Sequence, residues 1–288
     1  MPHNPDPALQ ADFALPDHAV LALKGNDAVA FAQAQFMNDV GDLVDGQWQW
    51  NGWLTPKGRV IALFALLRLD AQTLWLLLPD VAASELAPLL QRYVFRSKVA
   101  LASANASVTA GFSAPLHAKD AAFAVIDNGW LELDMSGDGG SRRLMIGAAS
   151  VGENAEAASR WTQADLTHGL PRLPTSQREH WTPQQLSLDR LRAFSVKKGC
   201  YPGQEIVART HYLGQVKRGL ALFETTSEAA SEVAAGSEVH AAARSVGSVA
   251  CASGHLVLAV MPLDAAKEGM STAGIALQPR ALLNGLAR

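Results

Sequence analysis

The chain has 288 residues, 49% of them hydrophobic and 18% charged, with a formal net charge of -3. That length exceeds one ordinary compact core and suits two domains; the slightly acidic balance excludes a broad footprint on nucleic acid or anionic membrane, while leaving room for a local basic patch. Two cysteines, Cys200 and Cys251, with no CxxC pair, exclude a disulfide framework and point to a reducing compartment.

Residues 1–17 carry Asp6, Asp12 and Asp17, no Lys or Arg and no apolar run, so they read as a Pro-rich flexible lead and not as a secretory signal or transit peptide. Residues 18–23 alternate as a short strand, and Gly25-Asn26-Asp27 supplies a turn and N-cap for an amphipathic helix over 28–37. The spacing of Val44, Trp48 and Trp50 predicts a strand running to Leu54. Thr55-Pro56-Lys57-Gly58 is a turn by its chemistry, and strands over 59–69 and 73–78 complete a meander. Residues 82–93 have helical spacing, with Leu86, Leu89, Leu90 and Tyr93 on one face. Further strands are expected over 99–101, 107–112 and 123–133, a flexible loop over 136–141, a helix over 154–168 and an extended surface segment over 169–178. From Arg218 the short apolar segments 219–223, 237–240, 246–251 and 256–259 alternate with polar turns, as in a small β-domain. The expected division is 1–215 and 216–288. The longest apolar runs, 60–67 and 74–78, are too short to span a membrane, and a soluble, cytoplasmic protein is expected.

One stretch, Lys197-Lys198-Gly199-Cys200-Tyr201-Pro202-Gly203-Gln204-Glu205-Ile206-Val207-Ala208-Arg209, holds more chemistry than packing requires. Cys200 follows two lysines and precedes a helix whose first turn Pro202 favours, and both neighbours stabilise a thiolate. The plain alternative is a buried cysteine acting as a small hydrophobe, which is the reading for Cys251 in its apolar run. Glu205 can accept paired N–H groups of a heterocycle, or else balance its helix start and pair with Arg209 four residues on. Tyr201 and Trp161 can stack on an aromatic ligand or pack in the core, and Trp48, Trp50 and Trp53 read as strand packing. His211 and the other histidines lack metal-ligand spacing, and neither a Walker A nor a Rossmann glycine pattern is present, so no metal is expected.

The run Lys198-Gly199-Cys200-Tyr201-x-Gly203-Gln204-Glu205, followed by Val207-Ala208-Arg209, resembles the signature of the YgfZ family, folate-binding proteins related to the aminomethyltransferase (T-protein) of the glycine cleavage system. Further segments share the resemblance: Gln35 to Val40, Thr55 to Arg59, Tyr93 to Val99, Gly169-Leu170-Pro171, Pro183-Gln184 and Val246-Gly247-Ser248-Val249. It implies an α+β fold, with mixed subdomains around a central hole and a small C-terminal β-barrel. It implies tetrahydrofolate, or a derivative, in that hole. It also implies an accessory role in assembling or repairing iron–sulfur enzymes, tRNA-modifying ones included. Client or assembly proteins would be the partners, with no direct contact to nucleic acid or membrane. Under the resemblance Cys200 is the functional thiol, and Trp161, His18, Tyr201, Glu205, Lys198 and Arg209 are the folate contacts, His18 standing where relatives carry a second tryptophan. A single cysteine cannot hold a cluster, so any cluster contact is transient or shared with a partner. The competing reading is a folate-dependent one-carbon transferase. T-proteins carry a catalytic aspartate in the region after Leu78, where this chain has Glu85 or Leu86, with Asp80 nearby. Leucine cannot deprotonate an amine, which disfavours that chemistry. A thiol-redox protein without folate is a third reading.

Overall fold

The computed structural model describes residues 11–126, 129–147, 151–214, 216–225 and 232–288. Strand β1 (Phe13–Ala14) belongs to a second sheet, described below, and β2 (Ala19–Lys24) begins the first. Helix α1 (Ala28–Gln35) follows, then the meander β3 (Gln47–Leu54), β4 (Val60–Asp70) and β5 (Thr73–Leu78), helix α2 (Ala83–Gln91) and β6 (Ala100–Ser103). The five strands form an antiparallel sheet in the order β3-β4-β5-β2-β6. Alternation divides its side chains between two cores. Phe64, Leu66, Leu74 and Leu76 pack under the helices with Phe31, Leu86 and Leu90, while Trp48, Trp50, Leu63 and Leu67 enter the main core.

The second sheet takes the order β1-β7-β10-β9-β8. Its later strands are β7 (Ser107–Gly111), β8 (Ala124–Val125), β9 (Leu131–Asp134) and β10 (Arg143–Gly147). Helix α3 (Ala155–Thr167) is capped by Asn154, whose side-chain oxygen accepts from the Ala157 N–H at 3.0 Å. After α4 (Gln204–Tyr212) come β11 (Arg218–Thr225), β12 (Glu238–Ala241), β13 (Arg244–Ser253), β14 (Leu256–Pro262), β15 (Met270–Thr272) and β16 (Ile275–Arg280). They close into a barrel, β16 pairing with β11. Phe223, Val239, Val249 and Leu277 fill its interior, and the alternate residues Leu220, Leu222, Leu258 and Val260 pack outward into the main core. The chain then returns: Leu286 is buried in that core, and its carbonyl accepts from Trp50 Nε1 at 2.7 Å. No helix among the described residues is long and apolar enough to cross a membrane.

Several expectations change. Of the expected flexible lead, Phe13 and Leu15 lie in the core; residues 1–10 lie outside the described ones. The single strand expected over 123–133 is a hairpin, because Gly129, at φ 78, supplies a turn closed by the Ile126 N–H donating to the Trp130 carbonyl. Residues 169–178 are no surface segment, since Leu170, Leu173 and Gln177 are buried. Strands β15 and β16, missed in the sequence, are joined by Ala273-Gly274, both at positive φ, as a tight hairpin turn requires.

His168, at the end of α3, pins the glycine-rich 136–141 loop. Its Nδ1 donates to the Ala164 carbonyl at 2.7 Å, which leaves Nε2 to accept from the Gly139 N–H at 3.2 Å. Burial lowers its pKa from the usual 6.5, helped by Arg142 and opposed by the Ala164 carbonyl, Asp165 and Asp138. Below pH about 6.5 the unfolded chain therefore binds more protons than the folded one, and stability falls as pH drops. Burial and then Arg172 lower His18 in the same sense. The urea midpoint should accordingly fall between pH 7.5 and 5.5, and His168→Gln should flatten part of that slope.

Candidate functional site

The cysteine loop is built on the end of α1. There the carbonyls of Gln33, Phe36 and Asn38 converge, and the Lys198 ammonium donates to them at 2.6, 2.6 and 2.9 Å. A helix C-terminus carries partial negative charge, so a cation is the natural occupant. Burial pushes Lys198 down to about 8 against the pull of Asp39, so it is charged at neutral pH. Its ammonium has three donors and all three are used, which leaves none for a folate or for the thiol. Lys198 thus acts as a clamp, contrary to the ligand contact the resemblance implied.

The rest of the loop follows from that anchor. Ser195 N–H donates to the Met37 carbonyl, and its hydroxyl accepts from Lys197 and Lys198 N–H at 3.2 and 3.3 Å. Tyr201 is buried with the Lys198 ammonium 5.1 Å from its ring centre, and its hydroxyl donates to the Ser195 carbonyl. Burial pushes that phenol up to about 12, so Tyr201 is a neutral brace with little ring surface to stack on a ligand. Gln204 Nε2 donates to the Lys198 carbonyl. Gly203, at φ 80, is the N-cap of α4, which therefore starts at Gln204 and not at Pro202. A Cβ on Gly203 would lie 2.6 Å from the Thr55 carbonyl, so only glycine lets this turn seat on the 55–58 hairpin.

What the loop presents outward is Cys200, Glu205 and Arg209, all exposed. Among the described residues neither Glu205 nor Arg209 forms an ion pair, so the i,i+4 bridge weighed above is not made. Cys251 is buried in β13, where its thiol is pushed up to about 12.

The aromatic and histidine positions lie elsewhere. A half-open cavity of about 620 Å³ is lined by the 14–18 segment, Glu153 and Asn154, the N-terminal half of α3, Arg172 and Ser253 of the barrel. His18 lines it together with Asn154, Ser159 and Thr162, and His18 Nδ1 is buried without a hydrogen-bond partner. Burial, then the Arg172 charge, hold His18 well below 6.5, so it is neutral at physiological pH. Arg172 also lines a second cavity of about 790 Å³, with Asp80, Glu85, Arg178 and Cys251. It is fixed by Asp80 Oδ1 at 2.5 Å and by the Pro79 carbonyl at 2.6 Å. Asp165, 3.8 Å from Arg172, accepts from Arg142 at 2.8 Å, and Arg142 lies 4.7 Å over the Trp161 ring. Trp161 is wholly buried between Phe13, Phe112 and Arg142, and is not among the residues lining either cavity. Cys200, Tyr201, Glu205, Lys198 and Arg209 line neither cavity, so the structure divides the expected site into an internal polar chamber and an outward-facing thiol loop. Arg172 was overlooked in the sequence; an arginine next to Pro171, between the buried Leu170 and Leu173, was the available signal. Among the described residues no group of three or more His, Cys, Asp or Glu could hold a metal ion.

Two measurements test this geometry. Iodoacetamide should label Cys200 alone in the folded protein and both cysteines in urea, read by peptide mass spectrometry; native labelling of Cys251 would contradict its burial. Lys198→Met leaves the buried carbonyls without their donor and should cost roughly 3 kcal/mol in urea unfolding.

No protein-family model matches the chain. The tRNA-modifying protein YgfZ of Klebsiella pneumoniae (strain 342) is 30% identical over 229 residues, covering 72% of this chain and 69% of that protein. An uncharacterized protein of Haemophilus influenzae is 28% identical over 228 residues, covering 78% and 76%. In three dimensions the chain is similar to the crystal structure of glycine cleavage system aminomethyltransferase T from Bartonella henselae, with a TM-score of 0.70 and 15% identity over 94% of this chain and 85% of that one, a likeness of fold. With an aminomethyltransferase-like fold and that level of identity to a YgfZ protein, the chain belongs to the YgfZ family.

Proposed function

We propose that this protein binds tetrahydrofolate, or a derivative, in the 620 Å³ cavity and presents Cys200 to partner proteins in the assembly or repair of iron–sulfur enzymes, tRNA-modifying ones included. Relatives named as tRNA-modifying proteins support the second half of that reading. The observation that carries the first half is a cavity of ligand size with the neutral His18 ring in its wall, against which a pteridine can stack or hydrogen-bond. Ser159 and Thr162 add hydroxyls to a lining that also holds Asp17, Glu153 and the Asp80-paired Arg172. Bound folate supplies a carrier for a one-carbon group. The chain's own part is to enclose that carrier and to keep His18 neutral. The exposed thiol suits a transient contact, because one cysteine is too few ligands for a cluster.

The side chains disfavour aminomethyl transfer. Leu86 is wholly buried, and Glu85 is paired with Arg178 at 2.9 Å. Asp80 has one oxygen on Arg172 and the other on the Leu173 N–H. No carboxylate among these three positions is free to take a proton from an amine.

Titration calorimetry with tetrahydrofolate should show saturable binding that His18→Ala weakens at least fivefold without moving the urea midpoint at pH 7.5. Cys200→Ala should bind folate as the parent does yet fail to restore iron–sulfur enzyme activity in a strain lacking the protein. Full rescue by that variant would remove the thiol from the function, and release of methylenetetrahydrofolate from an aminomethyl donor would replace the proposal with the transferase.

A further inference from the structure

The segment that leaves α2 has a feature that neither the cavity nor the thiol loop uses. Phe95 is 87% exposed, the highest value among the exposed large hydrophobic residues, and it sits at φ 44. A left-handed backbone is costly for any residue with a Cβ, and an aromatic ring in water gains nothing from burial, so two unfavourable choices coincide at one position. The ring is flanked by cations. Arg92, Arg96 and Lys98 are exposed, and among the described residues none forms an ion pair. Tyr93, half exposed, stands edge-on against Trp53 with ring centres 5.7 Å apart, so its position is fixed from below.

The turn is held rigidly. Lys98 N–H donates to Asp27 Oδ2 at 2.6 Å, and the Lys98 carbonyl accepts from the Asp27 N–H. A Cβ on Gly25 would lie 2.0 Å from that same carbonyl, so only glycine permits the approach. Lys24, exposed at the end of β2, pairs in register with Ala100, two residues beyond Lys98. Asp27 anchors this turn, and Asp70 stands in the neighbouring hairpin, where its partner Thr73 pairs with Lys24. In the sequence no Asp or Glu occurs between Glu85 and Asp120, in a chain whose net charge is -3. Positive charge is thus gathered here against the overall balance.

We propose that this turn is an RNA-docking surface, in which Phe95 stacks on an unpaired base while Lys24, Arg92, Arg96 and Lys98 neutralise the neighbouring phosphates. Single-stranded and loop RNA is recognised by just this pairing of an exposed ring with a cationic track, because every base has a face to stack and every linkage a charge. A ring held out by a fixed backbone loses little freedom on binding. An acidic protein segment would satisfy the cations equally, but it gives no reason to hold an aromatic ring clear of all packing. The proposal runs against the expectation of no direct nucleic-acid contact, while leaving the overall charge that motivated it unchanged.

The test uses the full chain and fluorescence anisotropy with a labelled, unmodified tRNA transcript, with heparin and a poly-glutamate peptide as controls. Phe95→Gly is the informative variant. Glycine accepts φ 44 freely, so its thermal midpoint should equal or exceed the parent's, while RNA affinity should drop at least fivefold. Phe95→Trp should retain affinity. Log affinity should fall with log salt at a slope near -2 to -3, roughly 0.7 for each of the cations, and Arg96→Gln should lower that slope by about 0.7. Absence of saturable binding at 50 mM salt would overturn the proposal, as would unchanged RNA affinity in Phe95→Gly. Heparin or poly-glutamate binding with the same Phe95 dependence would also overturn it, since a polyanion-binding or protein-docking turn would then be the better description.

Discussion

The buried line of charge Asp80–Arg172–Asp165–Arg142 is the constraint on which the arrangement of this protein depends. It starts just past β5 in the first sheet, crosses the segment after α3, enters α3 itself and ends beside β10 of the second sheet. Each ion would be costly alone in the interior, and each is compensated by a neighbour on a different element. Any slip of one element against another would leave a buried charge unpaired. Close packing of the main core resists such shifts as well, and the ion pairs add a constraint of charge to it. One member of the line, Arg172, is part of the wall of the cavity beside the 14–18 segment and α3.

The Lys198 clamp applies the same logic to the thiol loop, with backbone carbonyls in place of carboxylates. Its consequence for Cys200 is positional. A lysine beside a cysteine in sequence suggests a cation beside a thiol, but the ammonium here turns inward and spends its donors on the end of α1. The loop is held from inside, so its outer rim, with Cys200, Glu205 and Arg209, is left to solvent. A thiol meant for a small ligand would be walled in, whereas one meant for another macromolecule must stay accessible.

Much of the fold was legible from periodicity. Trp48 and Trp50 marked β3, the Thr55–Gly58 turn joined it to β4, and the apolar register of 219–259 announced the barrel strands up to β14. The missed barrel strands have a common cause. Met270–Thr272 and Ile275–Arg280 are short, with few apolar residues each, and owe their pairing to neighbours already in place, which no local pattern reports. The Cys200 motif was plain in the sequence, yet the task of Lys198 was not, because Gln33, Phe36 and Asn38 are some 160 residues away along the chain. Trp161 is a ligand contact by the family resemblance, while its type alone allows stacking or core packing. The structure spends its faces on Phe13, Phe112 and Arg142, so an aromatic residue's identity says less about a site than the competition for its surface.

His18 sits in the cavity wall with Arg172, Asp17 and Glu153. Its imidazole is kept neutral by burial first and by the Arg172 guanidinium second. The Arg172 charge therefore does two things at once: it binds the elements together through Asp80 and Asp165, and it keeps a neighbouring ring uncharged. A change at Arg172 would alter both the shape of the cavity and the protonation of its wall, whereas a change at His18 removes one ring and its titration. On the proposed folate reading, affinity and stability at pH 7.5 therefore separate at residue 18 and travel together at residue 172.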